Sequence, residues 1–237
     1  MSNPPEKILG VLGGMGPAAT AEFLRLLVAY APAERDQEHP KVFVLSNPGV
    51  PDRTAAILDG GEQPTPWLKK GLFTLADWGA DLLAVPCNTA HFFIDHIGEK
   101  LPVPLVHIVD ATLTEAKKRS PEGSWLVGTS GTRKSGIYQS GAEKLGYPLY
   151  VPSAEVQVVI QTAITLVKAN RIDEAEGQLR FALGHLRNRR DLPIVAACTE
   201  VPLAYIAGAL PPEKMTSGLE ALALSCLREL YGPKPPL

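Results

Sequence analysis

Two of the three cysteines in the 237-residue chain stand in matching surroundings. Cys87 follows the apolar run DLLAVP and Cys198 follows DLPIVAA, and each is trailed within two residues by a threonine, in PCNTAHF and ACTEVPL. Both precede segments of helical period, where free N–H groups and polar side chains gather beside the sulfur. A free thiol titrates near pH 8.5, and a helix N-terminus or a neighbouring cation brings it toward neutrality. One such group can then serve as a base while the other stays an acid. Two of them on either side of one carbon can remove a proton from one face and deliver a proton to the other. Cys226 has no such company. It lies inside the amphipathic ALALSCLREL and reads as core.

The elements that must position these thiols are legible as alternating runs. KILGVL precedes the helical ATAEFLRLLVAYA, KVFVLS precedes a helical stretch over 65–79, and DLLAVP precedes HFFIDHIGEKL. Such alternation predicts parallel strands joined by crossover helices. Strand cores that are apolar throughout, such as Leu82 to Val85, suit a sheet covered on both faces. The plan then starts again. SWLVGTSGTRKSGIYQSGAEKLG repeats the opening strand, glycine-rich turn and helix, and DLPIVAACTEVPL repeats DLLAVPCNTAHFF. Gly13 to Cys87 and Gly128 to Cys198 span nearly equal stretches. The expectation is an α/β protein of two similar lobes, each a mostly parallel sheet flanked by helices. A pseudo-two-fold axis relates them, and Cys87 and Cys198 meet at the strand ends across one cleft. The predicted division is 1–104 with 208–237 for the first lobe and 105–207 for the second. Residues 212–230 are predicted as a helix returning to cover the first lobe.

Composition narrows the partners. Apolar residues make up 45% and charged residues 20% of the chain, and the formal net charge is −2. This balance supplies no footprint for nucleic acid, since Arg187, Arg189 and Arg190 form only one short basic cluster. No apolar stretch reaches the about 20 residues needed to cross a bilayer, and MSNPPEK lacks the apolar core of a signal peptide, so a cytoplasmic location is expected. In that reducing setting the cysteines cannot be a disulfide framework. With no C-x-x-C and no usable histidine pair, no metal site is expected.

The segments PCNTAHF, ACTEVPL, LGGMGPAAT and NPGVPDRTAAIL together resemble the aspartate/glutamate racemase family, in its aspartate racemase branch, over nearly the whole chain. The resemblance implies two α/β lobes, racemisation of an amino acid without pyridoxal phosphate or other cofactor, a homodimer, and Cys87 and Cys198 as the catalytic acid and base. It also implies that Arg53, in PDRT, and Lys168, in TLVKAN, clamp the side-chain carboxylate of an acidic amino acid such as aspartate. A dicarboxylate needs a cationic site beyond whatever grips its α-carboxylate, and Arg presents a fork that matches it. Asn88, Thr89, Ala90, Thr199 and Glu200 fall beside the cysteines, where the α-carboxylate and ammonium group are held. Met15 in the first glycine-rich turn, and Thr129 and Thr132 in the second, are expected to contact substrate. His91 is placed to tune Cys87 or to fill the core.

Three rivals differ in what they require. GMGPAA fits a dinucleotide fingerprint after a strand, but VFVLSNPG ends in Ser46 and Asn47 where that motif needs an acid for the ribose, and Pro17 removes one N–H donor. Glutamate or hydantoin racemases, and decarboxylases or isomerases of small dicarboxylic acids, share the scaffold. A thiol-redox or ligand-binding protein would need its sulfurs within bonding distance, whereas an opposed acid and base must leave room for a carbon between them.

Overall fold

The computed structural model describes residues 5–98 and 100–232. Two four-stranded parallel sheets carry the architecture. The first is built from β1 (Leu9–Gly13), β2 (Val42–Ser46), β3 (Leu82–Ala84) and β4 (Leu105–Val106), in the order β2-β1-β3-β4. The second uses β5 (Ser124–Gly128), β6 (Leu149–Tyr150), β7 (Ile194–Ala197) and β8 (Met215–Ser217), in the order β6-β5-β7-β8. The two orders are the same plan executed twice, as the repeated segments require. In each sheet the central pair, β1 with β3 and β5 with β7, carries the glycine-rich turn and the cysteine.

Crossover helices cover both faces. In the first lobe they are α1 (Pro17–Tyr30), α2 (Arg53–Asp59), α3 (Pro64–Asp77) and α4 (Asn88–Ile94). After α5 (Ile108–Arg119), the second lobe adds α6 (Ser130–Ser135), α7 (Ile137–Lys144), α8 (Ala154–Lys168), α9 (Ile172–Arg189) and α10 (Val201–Ala207). The last helix, α11 (Gly218–Tyr231), packs on α1 and α5. One core cluster joins Leu9, Phe23, Ile108, Leu126, Val195 and Leu222 across both lobes, so the lobes share apolar interior. Cys226 lies fully buried in it. Among the described residues no helix is long and apolar enough to cross a membrane.

Strand pairing moves both seams relative to the expected division. Leu105–Val106 closes the first sheet and Met215–Ser217 closes the second, so the second lobe runs on past residue 207. The expected helix over 212–230 is correspondingly shorter. Pro211 and Pro212 introduce a single 3-10 turn (Pro212–Lys214), three residues then pair with β7, and the helix starts only at Gly218. Ser217 caps it, its hydroxyl accepting from the Glu220 N–H at 3.3 Å.

Candidate active site

Each cysteine sits where an apolar strand gives out. Cys87 is the N-cap residue of α4, and Cys198 directly follows β7. The approach of β5 to β7 depends on Gly128, because a Cβ there would lie 2.7 Å from the Ala197 carbonyl oxygen. The buried Gln157 holds the same turn, its Nε2 donating to the Gly128 carbonyl at 3.0 Å. The two sulfurs therefore arrive at the carboxyl ends of their sheets from different lobes, and both line one pocket.

Met15, Asp52, Arg53, Thr54, Cys87, Asn88, Thr89, Thr129, Lys168, Cys198, Thr199 and Glu200 line that pocket. Its empty space, including what opens toward solvent, is about 270 Å³. A wider vestibule borders it, sharing Asp52, Arg53, Lys168 and Glu200.

Ten of the twelve expected site residues line the pocket, and two do not. Ala90 turns its methyl into the first-lobe core with Phe93 and Ile94, because it lies on the inner side of α4. Thr132 stands behind Thr129: its hydroxyl is 3.0 Å from the Thr129 hydroxyl and 2.9 Å from that of Thr89, while its N–H donates to Thr129 Oγ1 at 2.9 Å. Thr89 and Thr129 close the triangle at 3.0 Å. This hydroxyl cluster joins α4 of the first lobe to the β5–α6 turn of the second. Asp52 and Thr54 are pocket residues that the sequence reading did not single out, although both flank Arg53 in the PDRT segment.

Two buried donors in this site find no partner among the described residues. The Asn88 carboxamide oxygen accepts from the Tyr138 hydroxyl at 2.5 Å, which fixes the amide and leaves its Nδ2 unpaired. Arg53 spends Nη1 on the Val50 and Pro51 carbonyls at 2.9 and 3.0 Å, and its buried Nε is unpaired. An unsatisfied buried donor costs about 1–3 kcal/mol. Two of them around one pocket fit an acceptor-rich ligand such as a carboxylate.

The electrostatics differ between the two thiols. The Cys198 thiol donates to Glu200 Oε2 at 3.0 Å, and Thr199 Oγ1 donates to the same oxygen at 3.1 Å. Burial, together with the Glu200 carboxylate, pushes the Cys198 thiol well up, with Lys168 pulling the other way. Burial works against the Lys168 ammonium, but Cys198, Glu200, Cys87 and Asp52 outweigh it and hold its pKa above the ordinary lysine value. Lys168 is therefore a fixed cation facing both thiols. Behind Cys87 lies His91, fully buried, whose Nδ1 is 3.0 Å from the Cys87 carbonyl oxygen and whose Nε2 accepts from the Ile108 N–H at 3.4 Å. That pairing fixes the Nδ1–H tautomer. Burial first, then the neighbouring His107, lowers the His91 pKa to about 3, so the ring stays neutral and secures the Cys87 backbone. Among the described residues no three His, Cys, Asp or Glu side chains gather where they could hold a metal.

Against this geometry, the family model for Asp/Glu/hydantoin racemases matches residues 12–223. The chain belongs to that racemase family. A solved structure of Picrophilus torridus aspartate racemase superposes with a TM-score of 0.83 at 28% identity, covering 97% of this chain and 96% of that one. A broad specificity amino-acid racemase, RacX of Bacillus subtilis, is 27% identical over 198 residues, 82% of this chain and 86% of that protein. Glutamate racemase of Aquifex pyrophilus is 28% identical over 162 residues, 64% of this chain and 59% of its own length. Membership makes this chain a racemase-family isomerase. These relatives include an aspartate, a broad specificity and a glutamate racemase, so the family alone does not set the substrate.

Proposed function

We propose that this protein interconverts L- and D-aspartate without a cofactor, Cys87 and Cys198 exchanging protons with opposite faces of Cα. One observation carries the reading: the two thiols come from equivalent strand ends of the two lobes and line the same small pocket, with Arg53 and Lys168 in its wall. Racemisation needs an acid and a base on opposite sides of one carbon, and a two-lobed repeat supplies them by symmetry.

In the resting site Cys198 is the protonated partner, held by its bond to Glu200. Cys87, acting as the base, takes the Cα proton of the enantiomer that presents it, and the Cys198 thiol returns a proton to the opposite face. The pair ends with its protonation reversed, and the other enantiomer runs the same path backwards. Charge that develops on the substrate between the two transfers is stabilised by the Lys168 ammonium, which faces both sulfurs. Asn88 Nδ2, with the Thr89 and Thr129 hydroxyls, suits the α-carboxylate. The Arg53 fork suits the side-chain carboxylate, and Glu200 or Asp52 the ammonium group. The two cations in the wall offset the two carboxylates of such a substrate, and one wall carboxylate suffices for its ammonium group. Aspartate is put before glutamate on the likeness to an aspartate racemase over nearly the whole chain, since one methylene of reach is worth only about 1–3 kcal/mol.

The deciding experiment is deuterium incorporation at Cα in D2O, screened over aspartate, glutamate and neutral amino acids. Exchange with inversion is expected for aspartate. Cys87→Ser and Cys198→Ser are each expected to lower racemisation by about 10²–10⁴-fold, while each still washes out the Cα hydrogen of one enantiomer faster than the other. Undiminished turnover in either variant eliminates the two-thiol mechanism, and exchange confined to another amino acid reassigns the substrate.

A further inference from the structure

Asn88 begins α4 directly after Cys87 and is buried. Its carboxamide has two chemically opposite ends, an acceptor oxygen and a donor NH2, and the end turned to the pocket decides whether an acceptor or a donor is welcome there. That choice is made from the second lobe. Between α6 and α7 the chain turns tightly, Ser135 Oγ donating to the Thr132 carbonyl at 2.9 Å and Gln139 Nε2 donating to the Arg133 carbonyl at 2.9 Å. The turn delivers Tyr138, fully buried, into the core cluster that the lobes share. Its hydroxyl donates to Asn88 Oδ1 at 2.5 Å, across fifty residues of sequence.

Tyr138 is not among the residues that line the pocket, so it can reach a substrate only through Asn88. Burial pushes its phenol well above the ordinary value of 10. It therefore stays a protonated donor and is too weak an acid to join the proton transfers at the thiols. A Cβ on Gly218, at the start of α11, would lie 3.3 Å from Asn88 Oδ1, so the oxygen end of the amide is enclosed from a third element. A carboxamide is planar, and with its oxygen engaged its Nδ2 must point elsewhere. That nitrogen is buried and finds no partner among the described residues. Since Asn88 lines the pocket, the unused donor is the end it offers there.

We propose that Tyr138 is a positioning residue for the reaction: by holding Asn88 Oδ1 it keeps the Asn88 NH2 turned to the pocket, where it binds the α-carboxylate that every amino-acid substrate carries. Without the hydroxyl the amide loses the contact that tells its two ends apart, and the orientation that shows oxygen repels a carboxylate. The donor belongs to the first lobe and its orientation to the second, so this contact is complete only when the lobes are docked. The inference rests on the α-carboxylate role proposed above for Asn88. It does not depend on aspartate being the substrate or on which thiol acts as base.

The test uses Tyr138→Phe, which removes one oxygen, with the amino acid that the native protein racemises and with its decarboxylated counterpart as a competing ligand. That counterpart is β-alanine for aspartate and 4-aminobutyrate for glutamate; each keeps the ammonium group and the side-chain carboxylate and lacks the α-carboxylate. KM should rise on the order of tenfold, as for a charge-assisted bond made in ground and transition states alike, with kcat lowered by less. Affinity for the counterpart should change by less than about twofold. In an Asn88→Ala background, Tyr138→Phe should add less than about twofold to KM, because the amide it acts through is gone. Asn88→Asp reads the same geometry with the tyrosine intact and serves if Tyr138→Phe folds poorly: an oxygen facing the pocket should weaken the amino acid about tenfold or more and leave the counterpart bound at least as tightly. An unchanged KM, equal weakening of both ligands, or full additivity of the two substitutions makes Tyr138 ordinary core and overturns the inference. A loss greater for the counterpart than for the amino acid puts the ammonium group at Asn88 and overturns it equally. The two-thiol mechanism survives each of these results and fails separately, on native turnover in either cysteine variant.

Discussion

At the scale of single residues, a side chain's part in the site is decided by what surrounds it, and His91 is the clearest case. Its position just past PCNTA left tuning and packing equally open. The structure makes it a neutral strut with both ring nitrogens committed to backbone groups and its pKa lowered to about 3. Between that value and the ordinary 6.5 the unfolded chain binds a proton that the folded chain refuses. The stability His91 contributes is thus complete above pH 6.5 and falls, by about 1.4 kcal/mol per pH unit, as the pH drops toward 3. Urea unfolding measured across that window should show His91→Gln flattening the decline by up to one proton's worth. An unchanged slope assigns the acid sensitivity elsewhere. That Cys87, Cys198, Arg53, Lys168 and Asn88 would gather at one pocket was legible from their types and local motifs. Ala90 was misplaced and Asp52 and Thr54 overlooked, because pocket lining depends on which way a helix turns and where a loop from the neighbouring element comes to rest.

Among elements, the duplication made both parallel sheets readable, since apolar runs alternating with amphipathic helices leave few other ways to bury the chain. β8 escaped notice for an energetic reason: its three residues have little pattern of their own and are held by pairing with β7 beyond a proline pair. Contact between lobes is equally invisible in sequence. The helices α2 and α6 cross so closely that a Cβ on Gly131 would lie 2.8 Å from Thr54 Cα and 2.9 Å from its hydroxyl. Backbone cannot yield there as a flexible side chain would. Gly131→Ala should therefore separate α2 from α6 by a fraction of an ångström and displace Arg53 and Thr129, which adjoin the contact. Misplacement on the scale of 1 Å costs about 10²-fold. The expected outcome is a loss of kcat/KM for aspartate approaching that size, followed by polarimetry, with far-ultraviolet dichroism unchanged. Native turnover in Gly131→Ala would mean that the lobes accommodate the methyl without disturbing the site.

For the molecule as a whole, the pocket is a seam, because both lobes contribute to its wall and meet there through the threonine triangle, the Tyr138–Asn88 bond and the α2–α6 contact. A ligand in the seam can satisfy the Asn88 and Arg53 donors of the first lobe while lying against Lys168 and Glu200 of the second. Binding to the folded state alone stabilises it by about 2.7 kcal/mol at one hundred times Kd. A chain of 150–250 residues gains about 2–4 °C per kcal/mol. Saturating aspartate should thus raise the melting temperature of the inert Cys87→Ser protein by about 5–10 °C. Lys168→Ala, which removes the cation facing both thiols, should lose most of that gain. Scanning calorimetry checks the bridging as well as the binding: if the lobes melt in separate steps without ligand, aspartate should draw the steps together. A gain confined to one step would place the ligand within a single lobe, and a pocket shared by two sheets could no longer be the seat of the reaction.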